Sequence, residues 1–216
     1  MIAKRLLYFR LTLPLARLAS KYHEEDDVWA KIPIRPIAGL FGPGCTEELK
    51  WYFNGDSSVQ TKSVAQICRW LRGCSYVSDE DLFQRDDFWQ HPCTFEEVRR
   101  GDCEDHALWA WRKLLDLGLE PEFVVGECKE GWPLPVGMHA WIRFDFRGRD
   151  YILESVSKDR ARMLLPFKLF RDTYTPHFSV DSELRTHMYG GFIHHLITRD
   201  HKGKRPRVSA SVPIPS

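Results

Sequence analysis

Three residues of this chain could together carry out thiol chemistry: Cys103, His139 and Glu154. Cys103 follows a helix-start signal, Gly101-Asp102, which should place its side chain beside unpaired backbone N–H groups that favour the thiolate. A thiolate nucleophile needs an imidazole to share its proton and a third group to orient that imidazole. His139 opens the strand-like segment HAWIRFDF, and Glu154 lies fifteen residues later in the next such segment. His106, one helical turn after Cys103, is the rival base, although a side chain at that spacing leans toward the preceding turn. Most lone cysteines are small buried hydrophobes, the role expected of Cys68 and Cys128.

The elements that must position these residues follow from hydrophobic period. CEDHALWAWRKLLDLG reads as a helix with Ala107, Trp111, Leu114 and Leu115 as its buried stripe and Gly118 as its C-terminal cap. After Gly118 the period changes to two, and Glu122–Cys128, Met138–Phe146 and Arg149–Val156 read as strands. A two-residue loop at Arg147-Gly148 sets Trp141 opposite Glu154 and His139 diagonal to it. A four-residue loop from Asp145 to Gly148 sets His139 directly opposite. Either register puts the histidine and the carboxylate on one face, with Ile142 and Phe144 pointing the other way into the core.

Elsewhere, Cys45 to Cys74 reads as helical, with Val59, Val64, Ile67 and Leu71 recurring at three- and four-residue steps once the first turn is passed. Ser78 to Pro92 reads as loop or broken helix, and Thr94 with Glu97 has capping-box spacing for a short helix. Lys31 to Gly44, rich in Pro and Gly, reads as a wrapping loop. RMLLPFKLF and GGFIHHLIT read as further strands. Helices first and strands later predict an α+β domain with an antiparallel sheet. The expected layout is an N-terminal helix and loop (1–44), a catalytic domain (45–199) and a polar tail (200–216).

The 216 residues carry 31 Lys+Arg against 30 Asp+Glu, a net charge of +1. That balance gives no electrostatic case for nucleic acid as partner. No apolar run reaches the length of a spanning helix, about 18 residues. Arg10 and Arg17 interrupt the apolar N-terminus too closely for a secretory core, so Met1–Lys21 is expected to be an amphipathic packing helix, and residues 1–44 a possible docking segment. Six cysteines without a CxxC pair argue against a zinc ribbon and for a reducing cytoplasm. The histidines at 187, 194, 195 and 201 lack paired ligand spacing.

The segment GDCEDHALWAWRKLLDLGL, preceded by DFWQHP and followed by HAWIRF and YILES, resembles the transglutaminase-like superfamily, most closely its bacterial transglutaminase-like cysteine proteinases. The resemblance spans Val64 to Val156, under half of the chain. It implies a papain-like, transglutaminase-core fold with the nucleophile helix packed on the sheet. It also matches Cys103 to the nucleophile, His139 to the base and Glu154 to the orienting acid, where the family usually has Asp. The implied activity is acyl transfer through a thioester on a peptide, protein or amide substrate. With water as acceptor the enzyme is a peptidase or amidase; with an amine it is a transglutaminase or amide-forming acyltransferase. A non-catalytic binding module on the same fold is the reading from another class.

Acyl transfer needs donors for the developing oxyanion. Candidates are the Cys103 N–H with Trp89 Nε1–H or the Gln90 amide. No cofactor is required. Asp102, Glu104 and Asp105, however, would raise the thiol pKa by like-charge repulsion unless they turn away or a cation neutralises them. Such oxygen ligands suit Ca²⁺, which some proteinases of the similar bacterial group carry. With helix and imidazole both acting on it, the thiol is expected to lie below its free value.

Overall fold

The computed structural model describes residues 27–36, 39–129 and 137–195. The expected N-terminal helix and the polar tail lie outside the described residues. The chain divides into two compact units, 25–192 and a second formed by 1–24 with 193–216.

Its elements in chain order are strand β1 (Lys31–Ile34), a 3₁₀ turn (Leu49–Phe53), helix α1 (Val64–Arg72), strand β2 (Ser75–Tyr76), helix α2 (Asp79–Phe83), helix α3 (Pro92–Val98), strand β3 (Arg100–Gly101) and helix α4 (Cys103–Asp116). Then follow β4 (Glu122–Cys128), β5 (Gly137–Asp145), β6 (Asp150–Leu153), helix α5 (Arg160–Met163), β7 (Leu164–Pro166), helix α6 (Phe167–Phe170), β8 (Tyr174–Val180) and β9 (Thr186–Tyr189). Seven strands form one sheet in the order β1-β9-β8-β4-β5-β6-β7. Every pairing in it is antiparallel. The fold is α+β, with helices packed on an antiparallel sheet.

The alternation of β5 explains the two apolar layers. Ala140, Ile142 and Phe144 join Leu108, Trp111, Leu114 and Phe123 in the core beneath α4. Trp141 points the other way, into a second core with Trp29, Ile152, Leu165 and Tyr174. Helix α4 is buried on all sides from Glu104 to Leu114, rather than along one stripe, because α1 and α3 cover the face turned from the sheet. It ends in a Schellman motif: Leu119 N–H bonds to Leu114 O at 3.1 Å, and Gly118 N–H to Leu115 O at 2.9 Å, with Gly118 at φ +72°.

Several local expectations are corrected. Lys31–Ile34 is an edge strand on β9 rather than loop, so the start of the Pro/Gly-rich segment belongs to the sheet, while 39–44 is turn and loop. The cap of α3 is His91, whose Nδ1 accepts from Cys93 N–H; Pro92 takes the first helical position, leaving Thr94 inside the helix. Ser63 caps α1, which excludes Val59. The segment 162–170 is a short strand between two helical turns, and Gly190–His195 is helical, not extended. Strands β8 and β9 show no clear period in the sequence, because Pro176 and His177 interrupt the first and the second is only four residues long.

One buried ion pair fastens α3 and the segment before α1 onto α4. Glu96 accepts from Ser58 N–H at 2.8 Å, from Trp109 Nε1–H at 2.9 Å and from the Ser57 hydroxyl, and lies 3.3 Å from Lys113 Nζ. Burial raises its pKa, but the donors and the Lys113 charge outweigh this and hold it down at about 2. A depressed carboxyl contributes stability that is complete above its unfolded value and lost as pH falls toward the folded one. Glu96→Gln is therefore expected to cost about 3 kcal/mol at neutral pH, and to flatten the fall in stability between pH 4.5 and 2. Urea melts of both proteins across that range check this.

Candidate functional site

Cys103 begins α4, His139 lies on β5, and Glu154 follows the last residue of β6. The β5–β6 hairpin closes through a two-residue turn: Phe146 N–H bonds to Arg149 O at 2.8 Å, and Arg147 and Gly148 both have positive φ, 56° and 73°. This is the shorter of the two registers considered from sequence. Ile142 pairs with Leu153, which sets His139 diagonal to Glu154 on one face. Both carboxylate oxygens lie on His139 Nε2, at 3.1 and 3.0 Å. Tyr174 Oη donates to Glu154 Oε2 at 3.0 Å from β8, a contact that sequence reading missed because it comes from an unrecognised strand. Histidine, glutamate and tyrosine are all buried. Asp150, the nearest alternative acid, is instead held by Arg143 at 2.7 Å.

Opposite His139, β4 carries Gly126, where the β4–β8 register shifts. A Cβ at Gly126 would collide with Thr175 O and come within 2.9 Å of His177 N. Glycine is required there by the close approach of β8.

The pairing of β6 with β5 stops at Ile142, so Ala140 has no partner from β6. The N-terminus of α4 fills that edge. The Ala140 backbone N–H hydrogen-bonds the Cys103 sulfur, and Cys103 packs against both apolar cores, as a residue at a sheet edge must. The thiol is thus bound to the residue next to His139. With Nε2 turned to Glu154, Nδ1 is the imidazole nitrogen left to take a proton.

The electrostatics differ from expectation. Burial first, then the Glu104 and Asp102 charges, push the Cys103 thiol well above its ordinary range, and the thiol donates to Glu104 Oε2 at 3.3 Å. The acids crowd together. Ligand oxygens of Asp79, Asp102 and Asp105, and of Asp79, Asp87 and Glu104, lie within 4.8 Å of one another. Burial and mutual repulsion raise all of Asp79, Asp102, Glu104 and Asp105, Asp79 to about 6. Asp79 Oδ1, Asp102 Oδ1 and Glu104 Oε1 are buried without a hydrogen-bond partner. Buried, unpaired carboxylate oxygens of this kind fit a hard divalent cation. Asp79 and Asp87 were not singled out from the sequence; their place in the acidic stretch before α3 was the available signal.

Asp102 occupies the N-cap position of α4, but its side chain does not cap the helix. Its carbonyl instead accepts from His106, at 3.3 Å from the backbone N–H and 2.7 Å from Nδ1. His106 is fully buried, with Nε2 3.4 Å from Lys158 Nζ. Both nitrogens are occupied, which removes it as rival base. The oxyanion candidates are also committed elsewhere. The Gln90 side-chain amide donates to Arg100 O and to Asp105 Oδ2. Trp89 packs among Phe41, Tyr52 and Phe123 and bonds to Asp87. The Cys103 N–H remains the candidate from sequence.

No family model and no curated protein matches the chain. Among solved structures it is similar to Legionella pneumophila LapG, at 18% identity and TM-score 0.44 over 71% of this chain and 76% of that one. Against the calcium-bound form of that protein the figures are 20% identity and TM-score 0.41 over 55% of this chain, and the match spans 63% of LapG, under two thirds of its length. A Cytophaga hutchinsonii protein named as a candidate cysteine protease matches at 11% identity and TM-score 0.34, over 72% of this chain and 61% of that one. At such scores the likeness carries no argument about the site, which rests on its own contacts.

Burial and the Lys158 charge hold His106 down at about 3. It should therefore stay neutral, with its proton on Nδ1, from pH 8 to pH 4. Because the unfolded imidazole titrates near 6.5, this burial withdraws stability progressively as pH falls below that value. Nitrogen-15 imidazole spectra across this range check the tautomer, and a charged His106 at pH 5 in folded protein would contradict it.

Proposed function

We propose that the chain is a thiol-dependent acyl-transfer enzyme whose reaction is hydrolysis of a peptide or amide bond. The observation that carries this reading is the pairing of both Glu154 oxygens with His139 Nε2, while the Cys103 sulfur sits on the backbone of the adjacent Ala140. The sulfur adds to the substrate carbonyl carbon and its proton passes to His139 Nδ1. Collapse breaks the C–N bond, the same proton leaves with the amine, and the acyl group stays on sulfur as a thioester. Water then adds, giving up its proton to His139, and the C–S bond breaks to release the acid and the thiol. Glu154, held by Tyr174, keeps Nε2–H engaged and stabilises the imidazolium. The Cys103 N–H is the proposed oxyanion donor.

A divalent cation such as Ca²⁺ at Asp79, Asp87, Asp102, Glu104 and Asp105 belongs to this reading. It would neutralise acids that otherwise raise the thiol and would compete with Cys103 for Glu104. The calcium-bound form of LapG is the parallel among solved proteins.

Iodoacetamide labelling read by intact mass tests the nucleophile. With Ca²⁺ present, Cys103 should alkylate at pH 6 faster than Cys45, Cys68, Cys74, Cys93 or Cys128, and His139→Ala or a chelator should remove that advantage. Equal rates for Cys103 and the other accessible cysteines, with Ca²⁺ present, would make it an ordinary thiol and favour the non-catalytic module. In peptide-cleavage assays, Glu154→Gln should lower the rate by about 10⁴, by analogy with the orienting acid of the serine triad. Tyr174→Phe, which removes one hydrogen bond of about 1–2 kcal/mol, should lower it about tenfold. Products carrying an added amine would reassign the acceptor from water.

A further inference from the structure

A pocket of about 510 Å³ opens between the β2 strand and the segment that follows Glu154, and is not used by the chemistry above. Arg72, Tyr76, Val156, Ser157, Lys158 and Asp159 line it. Two features attach it to the site. Tyr76 pairs with Gly101 across β2 and β3, two residues before the nucleophile, and stays 47% exposed. On the other wall, Val156 lies two residues beyond Glu154 and belongs to the core against which Cys103 packs.

The pocket holds two cations and one acid. Asp159 is already engaged: one oxygen accepts from Ala161 N–H at 2.9 Å and the other lies 3.6 Å from Arg162. Lys158 Nζ is held by Leu71 O at 2.9 Å and His106 Nε2 at 3.4 Å. Those contacts use two of the three ammonium protons and leave one free. Arg72 ends α1 and is exposed. Among the described residues no ion pair joins Arg72 or Lys158 to a carboxylate. An ammonium fixed in place beside an unpaired guanidinium, within an otherwise acidic neighbourhood, selects for a carboxylate at that one spot.

We propose that this pocket is a specificity subsite taking a carboxylate of the substrate, as the side chain of an Asp or Glu within about two residues of the scissile bond or as a free C-terminal carboxylate. The proposal rests on the peptide-cleaving reading of Cys103. Arg72 and Lys158 set the preference, and Tyr76 forms the wall nearest the nucleophile.

Peptidyl chloromethyl ketones that differ only in carrying Glu, Gln or Lys, next to the reactive group or one residue further away, read the subsite as the rate of Cys103 alkylation. The Glu reagent should react about fivefold faster than the Gln reagent, the size of one partly exposed ion pair, and Lys should be slowest. Arg72→Glu should invert the order and Arg72→Gln should level it. Protection of Cys103 by a short peptide acid but not by its amide, without a Glu effect, would assign the carboxylate to a C-terminus. The same rates in wild type and Arg72→Glu would overturn the subsite. Equilibrium binding of the Glu, Gln and Lys peptide amides and of the peptide acid to Cys103→Ala separates the two readings. A carboxylate preference that Arg72→Glu abolishes, in a protein whose Cys103 does not react even with iodoacetamide, keeps the pocket and rejects the chemistry. Reactive Cys103 with no carboxylate preference does the reverse.

Discussion

The arrangement depends on strand β6 leaving β5 one residue before Glu154. Had the two strands continued in register, the edge at Ala140 would belong to the sheet, and the nucleophile helix would be held to the face beneath Ile142 and Phe144. The early departure frees an edge amide, and α4 fills the gap with its first residue. A thiol packed against both layers thereby sits on the backbone next to His139, whose ring lies on the face of Glu154 and Trp141. The shift between β4 and β8 at Gly126, on the opposite side of β5, serves the same end by bringing β8 and Tyr174 close. Sheet geometry, not side-chain reach, brings these groups together.

This construction puts carboxylates where they are costly. Asp105 is taken up by Gln90 from beneath, and Asp79 accepts from Phe88 N–H at 2.6 Å, but buried oxygens on three acids remain without donors. Gly101 shows how tight the space is, since a Cβ there would meet Asp105 and the Gln90 amide. A site that cannot satisfy its own anions with protein donors can do so with a cation, and the charge that relieves the acids also relieves the thiol.

The parts legible in the sequence were those with short-range signals. The limits of α4 and β4 follow from Asp102, Gly118 and the switch of period, and the shared face of His139 and Glu154 follows from parity alone. Long-range events were not legible. Tyr174 reaches Glu154 only because β8 pairs with β4, and no local pattern announces that pairing. Gln90 has the composition of an oxyanion donor, yet Asp105 claims it through a contact made after the chain has turned back on itself. His106 has the composition of a base but is sealed between Asp102 and Lys158.

The burial of α4 on every side has a dynamic consequence. Eleven successive residues, Glu104 to Leu114, are out of solvent, and their amides can exchange with water only through openings close to global unfolding. The residue that carries the sulfur is thus fastened to the slowest-opening part of the molecule, with the β2–β3 strip and the segment after Glu154 around it. On the proposed reading, any adjustment to a substrate falls to those rims, so Cys103 acts as a fixed anvil and accommodation belongs to the walls.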